Sequence, residues 1–152
     1  MTATHRAVRI LLVEDSPGDV RLTREALQRS KVANQLVVAG DADLALDALH
    51  GRGEYDGTPP PDLVLLDLNL PGRSGHEVLE AIRLDAVLSA IPVVILTTSK
   101  AEEDILRAYN LHANCYVVKP VDFRALVEIV GKIEAFWLQV VELPRDVSEP
   151  VT

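Results

Sequence analysis

The sequence predicts a doubly wound α/β fold, one domain with five parallel strands and helices on both faces of the sheet. Three observations predict it. Short apolar runs alternate with amphipathic segments five times in succession. The runs are largely continuous, as strands buried on both faces require. Helix-starting residues follow several of them, Ser16-Pro17 and Asp122 most plainly.

The first strand is VRILLV at 8–13, a branched apolar run after one charge. Ser16 then caps a helix with Pro17 in its first turn, running to about Arg29 with Val20, Thr23 and Leu27 inward. QLVVA at 35–39 is the second strand, and 41–49 the second helix, closed near Gly51. Residues 51–61 read as a loop ending in three prolines. DLVLL at 62–66 is the third strand, with Asp67 next, a turn at Leu70-Pro71-Gly72, and a helix over 76–85. Strand four is 93–96 and helix four 101–109. Strand five is 115–118, an edge of the sheet, and Asp122 caps a last helix to about Gln139. The expected strand order is 2-1-3-4-5, as in flavodoxin-like folds. The domain is expected over 8–143, with tails at 1–7 and 144–152.

Composition narrows the function classes. A net charge of −8 argues against general nucleic-acid binding, which needs a positive patch. No apolar stretch approaches the roughly 20 residues of a membrane span. The N-terminal apolar run is short and ends in two acids, unlike a signal peptide. The lone cysteine, Cys115, cannot form an internal disulfide. A cytoplasmic location is expected.

In such a sheet, ligands bind beyond the carboxyl ends of the strands, where strands 1 and 3 diverge. Glu14 and Asp15 follow strand 1, Asp67 follows strand 3, Thr97 and Thr98 follow strand 4, and Lys119 follows strand 5. Three carboxylates together repel one another and stay ionised only beside a cation. An oxygen-only donor set suits Mg2+ or Mn2+, and no histidine stands at a strand end to favour zinc. A carboxylate can attack phosphorus and form an acyl phosphate. Asp67 is central and the natural nucleophile; Lys119 and the Thr97 hydroxyl are the right types to hold phosphoryl oxygens.

The segments LLVEDS, LLDLNLPGRSG, VVILTTS and YVVKP, in this order, resemble the receiver domain of two-component response regulators. The resemblance covers about 8–140. It implies that Asp67 is phosphorylated by a sensor histidine kinase. Asp15 would bind the metal directly, Glu14 through water, and Asn69 through its backbone carbonyl. Thr97 would be the switch hydroxyl, Lys119 the phosphate-pairing lysine, and Tyr116 the aromatic that turns on activation. Taken alone, Tyr116 also fits a half-buried packing residue. The Lys119-Pro120 bond is implied to be cis. The pattern departs at Thr98, where the family usually carries Ala or Gly; a bulkier, polar side chain there is expected to narrow access to the phosphoryl group and so to bear on the dephosphorylation rate. The ending EAFWLQVVELP, with YNLHANCYVVKP, is similar to the small regulators that partner bacterial and cyanobacterial phytochromes. No output domain follows the receiver in the sequence, so output is expected by protein binding or transfer to a downstream phosphotransfer protein, not by enzymatic turnover.

Two other classes fit the sequence less well. An aspartyl-phosphate phosphatase usually has a second acid two residues past the nucleophile, where Asn69 stands. An FMN-binding protein needs a hydroxyl- and glycine-rich phosphate loop, and EDSPGD is acidic instead. In the last helix Phe123, Leu126, Val130, Ile133 and Trp137 form a core stripe, and Ile129, Phe136 and Val140 a second. The wide face predicts either packing on the tail or a neighbouring helix, or a homodimer interface, with Phe136 and Trp137 the candidates. The four histidines and Cys115 read as surface or packing residues.

Overall fold

The computed structural model describes residues 6–144. The five strands are β1 (Val8–Val13), β2 (Asn34–Ala39), β3 (Leu63–Leu66), β4 (Val93–Thr97) and β5 (Cys115–Val118). The helices between and after them are α1 (Pro17–Gln28), α2 (Ala42–His50), α3 (Gly75–Leu84), α4 (Glu102–Asn110) and α5 (Phe123–Glu134). All strand pairs are parallel and the order is β2-β1-β3-β4-β5, as expected.

Alternation along each strand splits the core into two layers. Leu11, Val13, Val64, Leu66, Val93 and Ile95 face α2, α3 and α4. Ile10, Leu12, Leu63, Leu65, Val94 and Leu96 face α1 and α5. This is why β3 and β4 are almost wholly apolar: every residue in them is buried, whereas the edge strands β2 and β5 are mostly half-buried.

Caps set where the helices begin. Ser16, Asp41, Ser74 and Asp122 each accept a backbone N–H from the first turn. Gly51 closes α2 at φ 61, the left-handed region that favours glycine. The loop after it holds a short 3-10 turn, Gly53–Tyr55, tied to β2 by the Tyr55 hydroxyl donating to the Val38 carbonyl at 2.8 Å. Asp62, expected inside the third strand, lies just before β3. It accepts a two-pronged bond from Arg6, at 2.6 and 2.7 Å, and one from the Arg9 N–H. Burial alone would raise the Asp62 carboxyl; these donors overcome it and hold the group below its ordinary value.

Three expectations are corrected. The Lys119-Pro120 bond is trans, the isomer favoured at X-Pro bonds by about 0.5–1 kcal/mol. Phe123 is 66% exposed instead of joining the core stripe, because it is the first residue of α5 and lies at the mouth of the helix. Leu126, Val130 and Ile133 of that stripe are buried. The last helix is not α-helical to Gln139: it widens to a π-helical turn over Ala135–Val140. There the Val141 N–H donates to the Phe136 carbonyl, five residues back, at 2.9 Å. The buried Glu134 carboxylate starts this turn, accepting from Ser30 of the α1 end at 2.5 Å and from Gln139 at 2.7 and 2.9 Å. Most of the expected tail, 145–152, and residues 1–5 with His5 lie outside the described residues.

Candidate functional site

The ladders run one residue past the strand ends and carry the site with them. The Glu14 N–H donates to Ala39, the Asp67 N–H to Val13 and the Lys119 N–H to Thr97, at 3.0, 3.0 and 2.7 Å. Backbone bonds of this kind fix where each side chain starts. α3 then presses on the turn after β3: the Gly75 N–H donates to the Leu68 carbonyl at 3.0 Å. A Cβ on Gly75 would stand 2.2 Å from the Asp67 carbonyl oxygen, so only glycine permits this approach.

Glu14 and Asp67 are buried at 4% and 5% exposure, and Asp15 is exposed. One carboxylate oxygen from each of the three lies within 4.8 Å of the others. The buried Lys119 ammonium reaches into this group. It donates to Glu14, to Asp67 at 2.9 Å and to Asp19 at 2.8 Å. Burial pushes the Glu14 carboxyl up to about 7, against the lowering pull of Lys119. Burial pulls the Lys119 ammonium down, but its three carboxylate partners outweigh that and hold it above its ordinary value. Three carboxylates thus share one ammonium, and Asp15 stands beside two of them. The convergent, hard oxygen donors fit a divalent cation such as Mg2+ or Mn2+.

The rim of the site is a hydrogen-bonded loop system. Asp67 accepts from the Asn69 N–H at 3.0 Å. The Asn69 side-chain amide donates to the Thr97 and Thr98 hydroxyls, both at 3.3 Å. Thr97 is fully buried and Thr98 exposed. Beyond them, the Ser99 hydroxyl donates to Asp104 of α4 at 2.6 Å, and the Tyr116 hydroxyl to the Ser99 carbonyl at 3.0 Å. His76 is buried between Ser74 and the Asp104 carbonyl, a satisfied histidine.

The structure therefore brings together Glu14, Asp15, Asp67, Asn69, Thr97 and Lys119. Tyr116, on β5, stands one step out, bonded to the loop that follows Thr97. Phe136 and Trp137 stand at the opposite end of α5, beyond the amino ends of the strands. Cys115 is half-buried, and burial raises its thiol against a lowering hydrogen bond with Trp137. Sequence reasoning missed Asp19, Gly75 and the Asn69 amide. Asp19 lies in the first turn of α1, beyond the residues directly after a strand, and only the stretch EDSPGD, with its third acid, hinted at it.

The family model for the response regulator receiver domain matches residues 10–131. Response regulator Rcp1 of Synechocystis sp. is 47% identical over 135 residues, spanning 89% of this chain and 92% of Rcp1. The phosphorylated cyanobacterial phytochrome response regulator RcpA superposes with a TM-score of 0.88 at 46% identity, covering 91% of this chain and 99% of RcpA. The Mn(2+)-bound form of Rcp1 gives 0.87 at 46% identity, covering 90% and 99%.

Proposed function

The chain belongs to the response regulator receiver domain family, and from that premise we propose that Asp67 accepts a phosphoryl group from a sensor histidine kinase of the phytochrome type. The observation that carries this is the buried Lys119 ammonium, held between Asp67 and Glu14 at the strand ends. The kinase pairing rests on the likeness to Rcp1 and to the phytochrome regulator RcpA.

An Asp67 carboxylate oxygen attacks the phosphorus of the donor phosphohistidine. The P–N bond breaks, and its electron pair returns to the imidazole. Lys119 offers an N–H to the phosphoryl oxygens where it now offers one to Asp67. Thr97 is positioned on the next strand to supply a hydroxyl once it leaves the Asn69 amide. Mg2+ or Mn2+, held by Asp15, Asp67 and the Asn69 carbonyl with Glu14 acting through water, would neutralise charge on the transferred group. Rcp1 in its Mn(2+)-bound form supports that reading.

Phosphorylation adds about two negative charges and new acceptors at Asp67. Movement of Thr97 pulls on the loop carrying Ser99, and Ser99 holds both α4 and Tyr116. The face of α4, β5 and α5 then changes its affinity for partners. Output is binding or transfer to a downstream phosphotransfer protein; the receiver domain, 8–143, is a relay in the cytoplasm and turns over no substrate of its own. A homodimer built on Phe136 and Trp137 belongs to the same reading. Nucleic acid and membrane are not partners in it: the net charge is −8, and no helix among the described residues is long and apolar enough to cross a membrane.

Incubation with acetyl phosphate and Mg2+, followed by intact-mass measurement, tests the phosphoacceptor. The parent gains one phosphoryl group and Asp67→Asn gains none. An adduct that survives in Asp67→Asn would overturn the assignment.

A further inference from the structure

Lys119 has three ammonium hydrogens, and each has its own carboxylate on a different element. Glu14 follows β1, Asp67 follows β3, and Asp19 sits on α1. Glu14 and Asp67 belong to the acids whose oxygens converge for a cation; Asp19 does not. Asp19 is therefore the one partner of Lys119 that a bound cation leaves to it alone.

The seat of Asp19 is built from the chain beside it. The Ser16 hydroxyl accepts the Asp19 N–H at 3.3 Å, and the Ser16 N–H donates to Glu14 at 3.1 Å. Pro17 presets the first helical turn. The start of α1 thus carries Glu14 and Asp19 on either side of one capping serine, and both hold the same ammonium. An acid in a first helical turn commonly serves the helix dipole alone. Asp19 differs in that its carboxylate, 24% exposed, lies 2.8 Å from an ammonium that is 5% exposed.

We infer that Asp19 is a positioning residue for phosphoryl transfer onto Asp67, acting through Lys119. This rests on the reading of Asp67 as phosphoacceptor. A lysine is a compact charge on a flexible stem, and its aim depends on what holds it. With Glu14 and Asp19 fixing two of its hydrogens, the third points at Asp67. With acetyl phosphate as donor, the Asp67 oxygen bonds to phosphorus and the P–O bond to acetate breaks. Acetate leaves with the electron pair, and no proton moves. The aimed N–H then meets the oxygens of the transferred group.

The test is the rate of phosphorylation by acetyl phosphate with Mg2+, read by intact mass. Asp19→Ala and Asp19→Asn are expected to slow it by about tenfold. In a Lys119→Ala background, adding Asp19→Ala changes the rate by less than about twofold, since the route through Lys119 is gone. A second readout needs neither cation nor phosphodonor. In the metal-free parent the Lys119 ammonium gives a slowly exchanging NMR signal, and Asp19→Ala loses it. Parental rates in both variants, a full tenfold effect persisting without Lys119, or an unchanged ammonium signal would each overturn the inference. Failure of the parent itself to take phosphate would instead overturn the reading of Asp67.

Discussion

At the scale of single residues, the site depends on a side chain that is missing. Gly75 stands where a Cβ would meet the Asp67 carbonyl oxygen at 2.2 Å and the Leu68 Cα at 2.8 Å. Both are backbone atoms, so neither gives way cheaply. Gly75→Ala is expected to lower stability by about 1–3 kcal/mol, the usual cost of overpacking. It should also slow Asp67 phosphorylation, because the shift falls on the nucleophile's own peptide. Gly131 is the contrast: it lies inside α5 with nothing within 4 Å of an added Cβ. There alanine should raise stability by up to about 1 kcal/mol through helix propensity alone. Urea midpoints of the two variants check both directions; equal shifts would refute the account. LPGRSG shows a turn in the sequence, but not which backbone presses on which glycine. The charged residues of the site were legible because they follow strands directly. Gly75 and Asp19 were not: Gly75 answers to backbone folded back across the turn before it, and Asp19 to Lys119, 100 positions away.

At the scale of elements, apolar period gave the strands and nearly every helix, and the fold class gave the strand order, but neither gave the end of α5. The residues of the π-helical turn keep a helical spacing, so the pattern alone reads as continuous α-helix. Glu134, at the head of that turn, is held by Ser30 from 104 positions earlier in the chain, and that tie leaves no local trace. The turn sets Phe136 and Trp137 edge to face, with centroids 5.6 Å apart and planes at 86°. Trp137 and Leu138 pack on the core layer under α1 and α5. Phe136 and Val140 remain 52% and 71% exposed. If this face joins two copies, sedimentation should give a dimer for the parent and a monomer for Phe136→Ala at the same concentration. Trp137→Ala should also dissociate, with a larger loss of stability than Phe136→Ala, since it opens the core as well. Equal masses for parent and variants would remove the dimer from the proposal. α4 stands at the other extreme: only Ala108 of it is buried and no side chain caps it. A helix so lightly held is suited to move when the Ser99 loop moves.

At the scale of the whole molecule, stability should depend on pH and on the cation together. The carboxylates around Lys119 cost folding energy when all are ionised and no cation is present. Glu14 registers this: burial raises its carboxyl from 4.5 to about 7. A raised folded pKa gives stability that is full below 4.5 and is lost as pH climbs through 7. Asp62 works the other way. Its carboxyl is held low, so its contribution is present above its ordinary value of 3.8 and is lost as pH falls through the folded value. The metal-free protein should therefore weaken toward both ends. Glu14→Gln keeps an acceptor for Lys119 and cannot titrate, so it isolates the upper window. Between pH 4.5 and 7 in chelator, the parent melting temperature should fall relative to that of Glu14→Gln. Saturating Mg2+ should then restore the parent, because a ligand at 100 times its Kd adds about 2.7 kcal/mol to the folded state. The same cation should do less for Glu14→Gln, which has lost one of the acids that would face it. Parallel melting curves for the two proteins in chelator would show that Glu14 is ionised throughout. The strain at the strand ends would then have to lie elsewhere among the acids around Lys119.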